Sequence, residues 1–273
     1  MRALVPALLL LAGCGQAGSA PSATLAERPA DRPTIVSLNP CTDAMLAEIA
    51  GPQQVLALSH YSRDPAARSM PANLARRYGV TGGTVEEVLA LDPDVVVAGA
   101  FLAPSARAAF ADFGIRVETF GIASSVEQSL GQIERLGDIA GNQAAARRST
   151  GRVERAVAQL KDGAGTNAVS TVLWQSGGIV PGEATLVSDL LRRGGFASHS
   201  QALGLGQADF LPLERVLSDP PDLLLVAGAE RAQHHPALAE VANLRVETID
   251  PALLFCGGPT IARLAARLQD LQQ

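Results

Sequence analysis

The chain has 273 residues, 47% of them hydrophobic and 18% charged, and its 22 Lys and Arg stand against 27 Asp and Glu for a formal net charge of −5. That apolar fraction supports one large core or two smaller ones, while a mildly acidic chain without a basic run argues against nucleic acid as a partner. Its three cysteines show no CxxC spacing, which argues against a zinc or iron–sulfur framework, and no metal site or cofactor of the protein's own is expected.

The N-terminus reads as a targeting segment. Arg2 is followed by an apolar run over residues 4–11, too short to span a bilayer, and then by Leu11-Ala12-Gly13-Cys14. Residues 1–13 are expected to be a lipoprotein signal peptide, with Cys14 left to carry lipid; the mildly acidic chain offers no attraction to anionic lipid, so membrane contact is expected through the lipid anchor only. Residues 14–32 are rich in Ala, Ser, Pro and Gly and suit a flexible tether. Export places the two remaining cysteines, Cys41 and Cys256, in an oxidising compartment, and a disulfide between them is expected; it needs Cα atoms within about 7 Å.

Residues 33–123 read as a first α/β lobe. The apolar run 34–38 ends in Asn39-Pro40, a strand entering a turn, and Thr42 or Asp43 can cap a helix to about residue 50. A second strand, 55–58, opens into a long polar loop over 59–83 containing His60, Tyr61 and Arg63. Thr84 and Glu87 have capping-box spacing before a short helix, and Glu86 should point away from the core. A buried strand from Asp94, a helix ended by Gly114 and a strand from Arg116 complete a β-α-β alternation that predicts a parallel sheet.

Residues 124–161 keep helical spacing throughout and predict one long connecting helix, with a possible kink at Gly141-Asn142. Residues 162–273 read as a second lobe: a strand at 169–174, a helix at 186–193, a loop at 194–210, a helix and strand over 212–226, a strand at 244–249 and a final helix. Part of this lobe repeats the first. Val85-Glu86-Glu87-Val88-Leu89 and the Asp92-Pro93-Asp94 turn return as Leu213-Glu214-Arg215-Val216-Leu217 and Asp219-Pro220-Pro221-Asp222, and Ile115-Arg116-Val117-Glu118-Thr119 returns as Leu244-Arg245-Val246-Glu247-Thr248. The expected fold is two Rossmann-like lobes with mainly parallel sheets, joined by the long helix, with a ligand cleft between them.

The order of Ile35-Val36-Ser37-Leu38-Asn39-Pro40, Leu58-Ser59-His60-Tyr61-Ser62, the segment 86–97, Leu191-Arg192-Arg193-Gly194-Gly195, Glu214-Arg215-Val216-Leu217 and Gly257-Gly258-Pro259 resembles the cobalamin and ferric-siderophore substrate-binding proteins of bacterial ABC importers. The resemblance implies a monomeric, non-enzymatic periplasmic lipoprotein that carries a cobalt or iron chelate (corrinoid, ferric siderophore or haem) to an ABC permease and its ATPase. It implies that Glu86 and Glu214 dock on permease arginines. It implies ligand contacts at Asn39, Pro40, His60, Tyr61, Trp174, Gly257 and Gly258. Tyr61 either stacks on the ligand or packs on its own lobe, His60 either ligates the metal or faces solvent, and Trp174 either floors the cleft or sits in the core. Thr81 and Gly99 stand where cobalamin binders carry aromatic walls, which leaves room for a bulkier or more polar chelate. Arg63, Arg68, Arg76 and Arg77 are candidates for meeting an anionic one.

Other chemistry has less support. His199, His234 and His235 read as surface residues. Gly204-Leu205-Gly206 lacks the strand and third glycine of a dinucleotide loop, and no Gly-x-Ser-x-Gly elbow or lysine-bearing phosphate loop occurs. The alternatives are an exported hydrolase or thiol enzyme using Cys41 with His60, and a lipoprotein that senses ligand.

Overall fold

The computed structural model describes residues 32–65, 67–160 and 168–272; the signal segment, the tether up to residue 31 and Cys14 lie outside them. In the first lobe the chain runs through strand β1 (Ile35–Ser37), helix α1 (Pro40–Ile49), β2 (Val55–Ser59), a 3₁₀ turn (His60–Arg63), α2 (Ala72–Ala75), β3 (Val80–Thr81), α3 (Val85–Leu91), β4 (Val95–Gly99), α4 (Pro104–Asp112) and β5 (Arg116–Phe120). Helices α5 (Val126–Ile139) and α6 (Gln143–Ala158) follow. The second lobe holds β6 (Val169–Gln175), α7 (Leu186–Arg193), β7 (Phe196–Ser198), α8 (His199–Ala202), α9 (Leu213–Ser218), β8 (Leu223–Ala227), β9 (Arg245–Thr248) and α10 (Pro259–Leu271).

The sheets are ordered β3-β2-β1-β4-β5 and β7-β6-β8-β9, and every ladder in them is parallel. Crossover connections require this: each returns the chain to the same end of the sheet, through α-helices in most cases and through two 3₁₀ turns (Ala232–His234 and Pro236–Glu240) between β8 and β9. The repeated segments occupy equivalent places. α3 leads into β4, which lies between β1 and β5, and α9 leads into β8, which lies between β6 and β9.

Several local expectations are corrected. Asn39, not Thr42 or Asp43, caps α1: its side chain accepts the Cys41 N–H at 2.8 Å, and Pro40 supplies the first helical residue with its φ already set. Thr42 and Asp43 are instead buried in the first turn. Thr84 does accept the Glu87 N–H, but the Glu87 carboxylate turns outward from the capping box to the Thr81 hydroxyl and the Gly82 N–H. The loop 194–210 contains β7 and α8.

The stretch 124–161 is two helices, not one. The chain breaks at Gly141, whose φ of 62° is left-handed, and Asn142 then caps α6 by accepting the Ala145 N–H while its amide donates to the Ile49 carbonyl. The break also depends on Gly137. A Cβ there would lie 2.4 Å from that of Ala146, so only glycine lets α5 and α6 approach.

One core runs through both lobes. It joins Ile35, Leu46, Val95 and Val97 of the first lobe to Leu173, Leu190, Leu223 and Leu225 of the second, through Ile133 and Leu136 of α5, Val153 of α6 and Leu264 and Leu268 of α10. The three helices between the sheets are therefore packing elements of both lobes rather than a linker.

Candidate ligand-binding cleft

The carboxyl ends of parallel strands are where open α/β sheets leave a crevice. Here the loops after β1, β4, β5 and β6 meet the segment before α7 and the loop before α10 around a cleft of about 610 Å³, within the range of small-molecule sites. Asn39, Cys41 and Thr42 come from the first loop, Gly99, Ala100 and Phe101 from the second, and the run from Phe120 to Ser124, with Gln132 of α5, from the third. The second lobe contributes Gln175, Pro181, the run from Ala184 to Val187, and Gln207; Leu254, Phe255 and Gly257 close one end.

Its surface is apolar and uncharged. Phe101 is 89% exposed, Ile122 82% and Phe255 52%, three large hydrophobic side chains facing one space, as sites awaiting an apolar partner do. Among the described residues lining it, none is acidic, basic or histidine. The polar groups are hydroxyls and carboxamides. Gln132 donates to the Gly121 carbonyl, and Gln207 accepts the Gly182 N–H, so each has half its amide committed and half left to face the cleft. Arg135, whose guanidinium lies 4.6 Å over the Phe120 ring, is held by Glu118 and the Thr119 carbonyl.

Cys41 and Cys256 are joined by a disulfide with Cα atoms 5.0 Å apart, which ties the head of α1 to the loop before α10 at the cleft wall. Paired in this way, Cys41 offers no thiol nucleophile. The same loop is drawn in by Gly257 and Gly258. The Gly258 N–H donates to Ser129 Oγ at 2.7 Å, a Cβ on Gly257 would lie 2.3 Å from that oxygen, and one on Gly258 would lie 2.7 Å from Met45. Between α5 and α7, the Val126 N–H donates to Asp189, and Arg193 joins Asp189 to Glu127. Glu127 is held below the ordinary carboxylate range, chiefly by a backbone N–H at the start of α5.

The residues singled out from the sequence are not all brought together. Asn39 and Gly257 line the cleft; Pro40 and Gly258 stand just behind it. His60 and Tyr61 lie outside the lining, exposed, with their rings tilted against each other at a centroid distance of 4.0 Å. Trp174 is 1% exposed: its ring packs with Val172, Val216, Leu224 and Val226, and its Nε1–H donates to the Leu211 carbonyl, so it is core and not cleft floor. Arg63 is folded onto the Tyr78 carbonyl, and none of Arg63, Arg68, Arg76 and Arg77 lines the cleft. Thr81 is buried on Glu87, away from the site. His199 is half-buried, with Ser170 Oγ and the Asp219 carbonyl holding its two ring nitrogens. Glu86 and Glu214 occupy the same place, the second residue of α3 and of α9, and both are exposed.

Phe101, Ile122 and Phe255 were not singled out from the sequence. The only signal they carry is a bulky apolar residue in a loop after a buried strand or beside a cysteine. Asp43 was read only as a possible cap. It is fully buried and accepts the Ser59 N–H and the Ser59 and Ser62 hydroxyls; burial pushes its carboxyl up to about 6 against the lowering effect of those donors.

Two parallel α/β lobes packed on shared helices around an uncharged cleft form the architecture of a solute-binding protein. The periplasmic binding protein family matches residues 35–247, and the chain belongs to that family. Among curated proteins no relative matches. Solved structures of like fold include the periplasmic heme-binding protein RhuT from Roseiflexus sp. RS-1 in apo form (TM-score 0.68, 20% identity, covering 87% of this chain and 95% of that one). The periplasmic heme-binding protein HutB of Vibrio cholerae (0.71, 18%, 88% and 98%) and the vitamin B12 binding protein BtuF of Vibrio cholerae (0.63, 18%, 88% and 98%) are also similar.

Proposed function

We propose that this protein is a lipid-anchored carrier that takes up a metal chelate in the cleft and presents it to an ABC permease, and that the chelate is a corrinoid. The observation that carries the choice of ligand is the lining: phenylalanine faces with carboxamides and no charge. A corrin ring offers broad faces for Phe101 and Phe255 and a rim of amides for Gln132, Gln175 and Gln207. Haem propionates or a carboxylate siderophore would each call for a cation in the wall. Solved structures of like fold are named for haem and for vitamin B12, and the uncharged lining of this cleft favours the corrinoid. Phe101, two residues after Gly99 in the same loop, and Phe255 would serve as the aromatic walls.

The acceptor is read from Glu86 and Glu214, two exposed carboxylates at equivalent helix starts, one on each lobe. Lipidation at Cys14 would keep the carrier at the membrane that holds the permease. The test is titration of the purified chain with cobinamide, cyanocobalamin, haemin and a ferric hydroxamate, followed by absorbance and calorimetry. Saturable one-to-one binding of a corrinoid is expected. Phe101→Ala with Phe255→Ala should weaken it at least about tenfold, equivalent to ~1.4 kcal/mol. Saturation by haemin or the ferric chelate, with no corrinoid binding, would replace the ligand assignment.

A further inference from the structure

Far from the cleft lining, α6 carries Arg147, Arg148, Arg152 and Arg155, which with Ala144 border an open surface groove. Helix geometry accounts for the cluster. Ala145, Ala146, Ser149, Thr150 and Val153 form the buried face of α6, and the four arginines, all exposed, lie on the opposite side. Arg152 pairs with Glu48, and among the described residues no carboxylate lies within ion-pair range of Arg147, Arg148 or Arg155. In a chain of net charge −5, this helix face concentrates positive charge.

The place where the chain enters the folded body is next to it. Arg32 lies against the turn that starts α6: a Cβ on Gly141 would be 3.6 Å from Arg32 Cγ, and one on Gly51 would be 3.2 Å from its guanidinium. Arg32 is only 18 residues beyond Cys14, a chain that spans at most about 60 Å when fully extended. That reach lets the start of α6 meet the surface that holds Cys14.

We infer that the arginine face of α6 docks on anionic phospholipid headgroups, so that the anchored protein rests on the bilayer through this helix. The inference rests on the reading of Cys14 as the lipidated residue. Charge complementarity selects the surface, and Arg32, 18 residues beyond Cys14, lies beside the start of α6. Guanidinium groups suit phosphate because they donate two parallel hydrogen bonds. Each arginine near an anionic bilayer strengthens binding roughly fivefold, and screening over about 8 Å at physiological salt makes the contact salt-sensitive. None of the four arginines lines the cleft, so this contact leaves the cleft lining uncovered.

The experiment uses the mature chain made without its acyl groups, and vesicles of phosphatidylcholine with or without about one-third phosphatidylglycerol. Cosedimentation with the anionic vesicles only, lost at roughly 0.5 M salt, is expected. Arg147→Gln with Arg148→Gln and Arg155→Gln should weaken it about a hundredfold, and the corresponding Glu variant should weaken it further. Circular dichroism melting confirms that each variant is folded. Equal binding to neutral vesicles, no binding to either, or an unaffected and folded triple variant would overturn the proposal. Binding of the arginine face to an acidic protein and not to lipid would overturn it as well. Mass determination of the mature N-terminus from a membrane fraction tests the Cys14 reading separately.

Discussion

At the scale of single residues, Asp43 shows how a polar group can be fully buried and still satisfied. Its carboxylate collects one backbone N–H and two hydroxyls, and those bonds fasten the start of the His60–Arg63 turn to α1. Burial nevertheless raises its pKa from 3.8 to about 6. The folded protein thus holds this proton more tightly than the unfolded chain. The contribution to stability is full below pH 3.8 and is lost as pH rises through 6, by about 3 kcal/mol. Asp43→Asn should remove that loss, so its melting temperature relative to the parent should rise between pH 4 and 7. Parallel pH profiles for the two proteins, measured by thermal unfolding, would show that another group is responsible. An Asp after a proline turn reads from sequence as a helix cap. Its burial depends on Ser59 and Ser62, which arrive from β2 and the turn beyond it.

At the scale of elements, the α5–α6 turn shows a sequence signal whose consequence is tertiary. Gly141-Asn142 marks a break in the pattern, but the need for glycine at 137 comes from Ala146 lying against it. Gly137→Ala gains helix propensity of about 1 kcal/mol and loses about 1–3 kcal/mol to overpacking. A net destabilisation is expected, read as a lower denaturation midpoint at unchanged slope; a more stable variant would mean that the helices separate without cost. The pair α3–β4 and α9–β8 is the element-level counterpart of the internal repeat. It sets Glu86 and Glu214 at matching helix starts, where like positions on two lobes suit a two-footed contact. Glu86→Lys with Glu214→Lys should leave ligand affinity intact and abolish uptake in cells, since reversed charge opposes a cationic partner. Uptake at the parental rate in the double variant would remove these residues from the docking surface.

At the scale of the whole molecule, the shared core governs motion. The sheets meet through Ile133, Leu136, Val153, Leu264 and Leu268, and the cleft edges are joined by the disulfide and by the Asp189–Val126 contact. Hinge closure needs a few residues whose backbone turns freely, and a packed core between lobes resists it. Ligand binding should therefore change the radius of gyration little. Scattering curves with and without ligand are expected to nearly coincide, and a clear contraction would show that the core slides or opens.

Local chemistry alone determined much of this protein. Parallel α/β alternation, the repeated α3–β4 unit and the helical middle were legible because buried strands, helical spacing and proline or glycine turns are written within a few residues of each other. Tertiary structure alone decided the cleft. Its lining is drawn from segments as far apart as Asn39 and Gly257, and no short window of sequence contains that surface. The same holds for Trp174, which both the core and the cleft fit by residue type; only the approach of the Leu211 carbonyl, 37 residues away, gives its indole N–H a partner in the interior. Burial and pairing are set by neighbours distant in the chain, so the sequence displays the candidates and the fold selects among them.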